Sequence, residues 1–346
     1  MDASAAIPAR RGAEGALERS RALARPAVRA AVERLPVRVR HLAGYHLGWW
    51  DRDGLPPAGS QGKGVRAALT LLSCEAIGGS RAAALPAAVA VELVHHASLL
   101  HDDIIGGDRI RRGHPALWAA FGVPASILAG DALFFLATQV LHEADGPLAA
   151  TGLARLNGAV QDLIDGEYAD VLFQDRPDVP VAETQTMSQA KTGALMAAAC
   201  ELGALAAGAR LARVEDLRAF GAHLGAAFHL ADDLLGIWGE PAVTGKPRGG
   251  DLSASKKSGP IAYALASGTP AADALARLLA GSGPLSEAHL GQAVALVEAT
   301  GAHTWALDKA LRHTPTAGDH LEAAAPEPLA AAELTALAYL VTGRDR

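Results

Sequence analysis

The sequence predicts an all-α fold, one large helical bundle with a central cavity. Three observations point to it. The chain of 346 residues is half hydrophobic but poor in aromatics, and its apolar residues are mostly Ala and Leu, which form helices well. β-Branched runs are scarce, and sustained apolar/polar alternation, the mark of a half-buried strand, is absent. The chain breaks at Gly- and Pro-rich stretches (51–64, 239–251 and 281–284) that punctuate helices of ordinary to long length.

The opening residues are small, polar and basic, with no apolar h-region, so no signal peptide is evident. Residues 1–16 are expected to be disordered, and residues 17–346 to form a single helical domain without repeats or linkers. Cys74 and Cys200 sit far apart in apolar contexts. They read as buried thiols in a reducing, cytoplasmic setting, neither a disulfide framework nor a zinc site. No apolar run promises a transmembrane segment: ALMAAACELGALAAGA is interrupted by Glu201 and reads as a packed core helix. The formal charge of −6 argues against nucleic-acid binding.

Two acidic runs carry the functional signal. HDDIIGG (101–107) ends an apolar helix, and ADDLLGI (231–237) lies inside another. Residues three or four apart share a helix face, so His95, Ser98 and Asp102 form one stripe, with Asp103 turned about 100° away. His229 lies on the side of Asp232 and Asp233, and Phe228 precedes it. Carboxylates near the C-terminal end of a buried helix oppose its dipole and need cations. All-oxygen ligation suits Mg²⁺, which usually shares its shell with substrate phosphates. Basic residues to hold such phosphates are present at four stations: Lys63 and Arg66; Arg109, Arg111 and Arg112; Lys191 beside Thr192; and Lys246, Arg248, Lys256 and Lys257.

Taken in order, these motifs resemble the trans-isoprenyl diphosphate synthase (polyprenyl synthetase) family from about residue 25 to the C-terminus. LVHHASLLHDDIIGGDRIRRGHPALW is similar to the family's first aspartate-rich region, and GKGVRAAL to its GKRLRPAL. GDALFF, AKTG, FHLADDLLGIWG, TGKPRGGDL and ALVEATGAHTWA follow where the family has its later motifs. The resemblance implies an isoprenoid synthase-type bundle around a deep apolar cavity, homodimeric, catalysing head-to-tail prenyl transfer. Asp102 and Asp103 would hold Mg²⁺ on an allylic diphosphate, as would Asp232 and Asp233. Arg111, Lys191 and Lys246 would grip that diphosphate. Lys63, Arg66, His95 and Arg112 would hold isopentenyl diphosphate. Phe228 and Thr192 would face the carbocation, Phe228 through its ring face.

The sequence also departs from the family. Gly106 and Gly236 stand where third aspartates are usual, and Asp108 is positioned to fold back over the first loss. His229 replaces a glutamine, and Glu167 stands where glutamine is common. These changes motivate two alternatives: a terpene cyclase that ionises a prenyl diphosphate without isopentenyl diphosphate, and an inactive regulatory subunit. The intact isopentenyl station favours elongation. Ala97 and Ser98, one turn before the aspartates, are small, and by the resemblance they line the cavity floor. They predict a product longer than farnesyl, of geranylgeranyl length.

Overall fold

The computed structural model describes residues 3–55, 62–240, 248–280 and 285–342. These are helical throughout apart from loops and one small hairpin, as the Ala- and Leu-rich composition requires. In order, the elements are α1 (Ala3–Val32), α2 (Val37–His46), α3 (Val65–Ala76) and α4 (Arg81–Ile105), then the hairpin β1 (Ile110–Arg111) and β2 (His114–Pro115). There follow α5 (Leu117–Phe121), α6 (Val123–His142), α7 (Thr151–Gln174), α8 (Val181–Ser188), a π-helical turn (Gln189–Gly193), α9 (Ala194–Ala206) and α10 (Leu211–Trp238). The chain ends with α11 (Gly250–Ser253), α12 (Gly259–Ala266), α13 (Pro270–Leu279), α14 (Glu287–Ala299), α15 (Ala302–Ala323) and α16 (Pro328–Thr342). Helix α1 begins inside the segment 1–16, and Ala13 and Ala16 within that segment are fully buried.

The chain divides into two compact units. The first comprises Met1–Gln161, Leu195–Gly221 and Gly318–Leu340. The second comprises Asp162–Ala194, Ala222–Ala317 and Val341–Arg346. The boundaries near residues 161 and 221 fall inside α7 and α10, so no Pro- or Gly-rich linker marks them.

In the first unit, α4 packs against α3 and α6. Leu69, Leu71 and Leu72 of α3, Leu93 and Leu100 of α4, and Leu133 and Leu141 of α6 are fully buried. Each such side chain contributes roughly 1.5–3 kcal/mol relative to exposure. Helix α9 approaches α3 so closely that a Cβ on Gly203 would lie 2.2 Å from the Thr70 carbonyl oxygen. Helix α4 opens on Ser80, whose hydroxyl accepts from Ala83 N–H at 3.3 Å, an ordinary N-cap. The second unit has its own core of Ile237, Leu252, Ile261, Leu275, Val294 and Val297. A smaller cluster, Phe173, Val179 and Met187, lies beside it in sequence order and within the same unit.

Two helices, Arg81–Ile105 and Val123–His142, are long and apolar enough to cross a membrane by length and composition alone, a test that the core helix of a packed bundle also passes. In α4, 61% of the apolar window is buried inside the protein, against 33% in α6.

Candidate active site

The first acidic motif is shaped by the end of α4. Gly107 adopts φ +67°, where a side chain would be strained. Gly107 N–H donates to Ile104 O at 3.2 Å and Asp108 N–H to Asp103 O at 2.9 Å, the paired closure of a Schellman motif. This closure turns Asp108 back over the helix end. Asp102, Asp103 and Asp108 thereby offer carboxylate oxygens within 4.8 Å of one another. A Cβ on Gly106 would lie 4.0 Å from Asp108 Cγ, so the third carboxylate stands next to that glycine.

The hairpin then sorts the two arginines. Its two-residue turn has positive φ at Arg112 (+53°) and Gly113 (+82°), as a type I′ turn requires. Arg111 reaches the carboxylates. Its Nε donates to Asp103 Oδ1 at 2.7 Å, its Nη2 to Asp102 Oδ2 at 3.2 Å, and Nη2 lies 3.7 Å from Asp108 Oδ2. Asp103 is fully buried. Burial raises its carboxyl above the usual range, against the opposing pull of Arg111. Asp103 Oδ2 is buried with no hydrogen-bond partner. An orphaned carboxylate oxygen beside two further carboxylates fits a hard divalent cation.

Arg112 lines a different pocket, formed with Glu92, His96, Gly62 and Gly64 and walled by Val28, Leu47 and Trp49. Glu92 Oε1 accepts from Ala67 N–H at 3.0 Å, and burial raises its carboxyl while Arg66 and Arg112 oppose the shift. Arg66 Nη1 lies 3.4 Å from His95 Nε2, and His46 Nε2 lies 3.1 Å from His96 Nδ1. Burial first holds His95 and His96 well below the usual imidazole range, followed by Arg66 for His95 and by His46 for His96. These rings are neutral hydrogen-bonding groups, and the cations here are guanidiniums. Lys63 is exposed on the loop between the two glycines. Ala97 is fully enclosed, whereas Ser98 keeps some exposure and spends its hydroxyl on His95 O at 2.9 Å.

The second unit holds the other motif. Lys191 and Thr192 sit in the π-helical turn, a rare distortion that re-aims side chains at functional sites. Gly166 of α7 makes room for it: a Cβ there would lie 2.3 Å from Lys191 N. Lys191 Nζ donates to Glu167 Oε1 at 3.0 Å and Asp170 Oδ2 at 2.8 Å. Thr192 Oγ1 and His229 Nδ1 lie 2.9 Å apart, and His229 Nε2 lies 3.5 Å from Asp233 Oδ1. Burial lowers the His229 imidazole to about 4. Asp233 is buried, accepts from Gly259 N–H at 3.2 Å, and is pushed well above the usual carboxyl range by burial and then by Asp251. Asp232 is exposed and Phe228 half-buried. Lys246 lies outside the described residues.

Sequence reasoning missed two carboxylates here. Asp170 is one helical turn from Glu167, and that spacing could have identified it as a second partner for Lys191. Asp251 was hidden by the glycine it faces: a Cβ on Gly236 would lie 2.2 Å from Asp251 Oδ2.

A family profile described as polyprenyl synthetase matches residues 57–297. The chain belongs to the polyprenyl synthetase family. It is 41% identical over 323 residues to a (2E,6E)-farnesyl diphosphate synthase of Mycobacterium tuberculosis, covering 92% of this chain and 90% of that protein. It is 40% identical over 340 residues to a geranylgeranyl diphosphate synthase of the same organism, covering 98% and 96%. A crystal structure of a polyprenyl synthetase from Streptomyces coelicolor A3(2) superposes with a TM-score of 0.90 at 42% identity, covering 95% of this chain and 99% of that one. The all-α isoprenoid synthase fold follows from that likeness, and the carboxylate cluster suits a polyprenyl synthetase that works with a divalent metal.

Proposed function

We propose that this polyprenyl synthetase is a Mg²⁺-dependent prenyltransferase that condenses an allylic prenyl diphosphate with isopentenyl diphosphate, head to tail. One observation carries the reading. The Arg111–Arg112 turn splits two adjacent guanidiniums between two stations of opposite character, one acidic and one basic. An acidic station suits a metal-bound diphosphate. A basic station with only one carboxylate suits a diphosphate bound without metal. A cyclase has no use for the second station, and an inactive subunit has little use for either. The farnesyl and geranylgeranyl synthases among its relatives favour neither alternative.

In this reading Asp102, Asp103 and Asp108 hold Mg²⁺, and Asp232 and Asp233 serve the same purpose in the second motif. Bound Mg²⁺ would supply charge neutralisation on the leaving diphosphate. Arg111, Lys191 and Lys246 bind that diphosphate, and fixed cations stabilise the charge that grows on it as the allylic C–O bond breaks. Lys191 starts out held by Glu167 and Asp170, so it is aimed before substrate arrives. Phe228 offers its ring to the allylic cation, and Thr192 is fixed by His229. Lys63, Arg66, His95 and Arg112 orient isopentenyl diphosphate so that its double bond attacks. The attack leaves a tertiary carbocation on the isopentenyl unit, and loss of a proton from the adjacent carbon to the departed diphosphate makes the new double bond.

We assign a product of geranylgeranyl length, because Ala97 and Ser98 leave no bulky group one turn before the aspartates. We also assign a homodimer, with α6 as the covered helix. Leu128 and Phe135, two turns apart on α6, are 61% and 76% exposed, and an apolar stripe of this kind is covered in a stable oligomer. The two-station reading is tested by steady-state kinetics. Arg112→Gln raises KM for isopentenyl diphosphate alone, whereas Arg111→Gln acts on the allylic substrate. Identical effects of the two variants would remove the distinction.

A further inference from the structure

The basic pocket holds more positive charge than its one carboxylate balances. Besides Arg112 and Glu92 it is lined by Arg21 and Arg25, both from α1. Burial and then Arg21 disfavour the charge on Arg25, and burial, Arg111 and Arg25 disfavour that on Arg112. Among the described residues neither Arg21 nor Arg112 has a hydrogen bond or an ion pair. Like charges gathered against the apolar wall of Val28, Leu47 and Trp49 repel strongly, and an anionic ligand relieves that repulsion.

The loop between them is built to let them converge. Arg25 Nη2 donates to Gly62 O at 3.2 Å. A Cβ on Gly62 would lie 2.7 Å from Arg112 Nη2, and one on Gly64 would lie 3.0 Å from Arg21 Cγ. Gly64 itself has φ +66°. The Arg21 stem therefore occupies the space into which a side chain at position 64 would leave, and position 64 is where GKGV departs from GKRL. We infer that Arg21 is a further diphosphate-binding residue, standing in for the arginine missing at position 64, and that Arg25 positions the Gly62–Gly64 loop for it. Helix α1 is thereby part of the substrate site. A guanidinium suits this role because it can grip two phosphate oxygens at once.

The inference rests on the reading that this pocket takes the diphosphate of isopentenyl diphosphate. The test uses the full chain with Mg²⁺ and saturating farnesyl diphosphate. Arg21→Gln raises KM for isopentenyl diphosphate about tenfold, the usual effect of losing one charge-assisted contact. It leaves kcat and the KM of the allylic substrate within about twofold, well under that tenfold step. Arg21→Lys recovers part of the loss, and Arg38→Gln, a charge removed from exposed α2 surface, changes nothing. Calorimetric titration with inorganic pyrophosphate, without metal, weakens in parallel. An Arg21→Gln protein with wild-type KM for isopentenyl diphosphate and wild-type pyrophosphate affinity overturns the inference, as does an effect confined to the allylic substrate. Should Arg21→Gln fail to fold, Arg21→Lys decides by the same two readouts. A wild-type protein that makes no isopentenyl-dependent product defeats the underlying reading instead, and the pyrophosphate titration still judges Arg21.

Discussion

Arg111 Nε donates to Asp103 Oδ1 at 2.7 Å, while Asp103 Oδ2 is buried with no hydrogen-bond partner. One oxygen of this carboxylate is thus held by the protein and the other has no hydrogen-bond partner, which is where the proposed metal is tested. Asp103→Asn should lower kcat by about 10²–10³, the scale for losing one preorganised electrostatic group. It should also abolish the rise in thermal midpoint that Mg²⁺ gives the wild type. A variant that keeps both would show that Asp103 holds no metal.

The closure of α4 makes a sharper point about Asp108. If it serves the place left by Gly106, Asp108→Asn should raise the Mg²⁺ concentration needed for half-maximal rate by about tenfold, the cost of one charge-assisted ligand contact. Gly106→Asp should recover much of it, since Gly106 sits at φ −76°, which any residue tolerates. Failure of that rescue would separate Asp108 from the metal.

Acid should weaken the fold through its histidines. Burial lowers His46 to about 3 and His229 to about 4, and holds His95 and His96 well below the usual range. A depressed folded-state pKa means that the unfolded chain binds more protons once pH falls below about 6.5. The stability these rings contribute is therefore complete above that pH and is lost as pH drops toward about 4. Urea midpoints should fall across this window, and His46→Gln should make the fall shallower. A flat profile from pH 7 to 4.5 would contradict the assignment of neutral, buried rings.

Ser98 keeps exposure where Ala97 has none, so it is the member of the pair a growing chain can touch. Ser98→Phe should shorten the product, read by chromatography of the dephosphorylated alcohols. Unchanged chain length would place the floor of the cavity elsewhere.

Much of this was legible in the sequence, for physical reasons. Helix content follows from Ala and Leu, and the paired aspartates are conspicuous because charge among apolar residues is costly. Asp108 was foreseeable, because the two glycines before it permit a turn. Other features have no local signature. Arg21 and Arg25 read as two of many arginines on an amphipathic helix, and only the approach of a distant glycine loop gives them meaning. Asp251 faces a residue with no side chain to announce the contact. The π-helical turn at Lys191 depends on Gly166, 25 residues earlier in the numbering, and the division into two units falls inside helices.

The most direct measurement follows carbon from isopentenyl diphosphate into product. Purified protein is incubated with Mg²⁺, farnesyl diphosphate and labelled isopentenyl diphosphate, and organic-soluble products are compared with a reaction lacking the labelled substrate. Prenyl elongation predicts a longer prenyl diphosphate that contains the label, and little product without it. Hydrocarbon or alcohol formed at the same rate in the absence of isopentenyl diphosphate would contradict it.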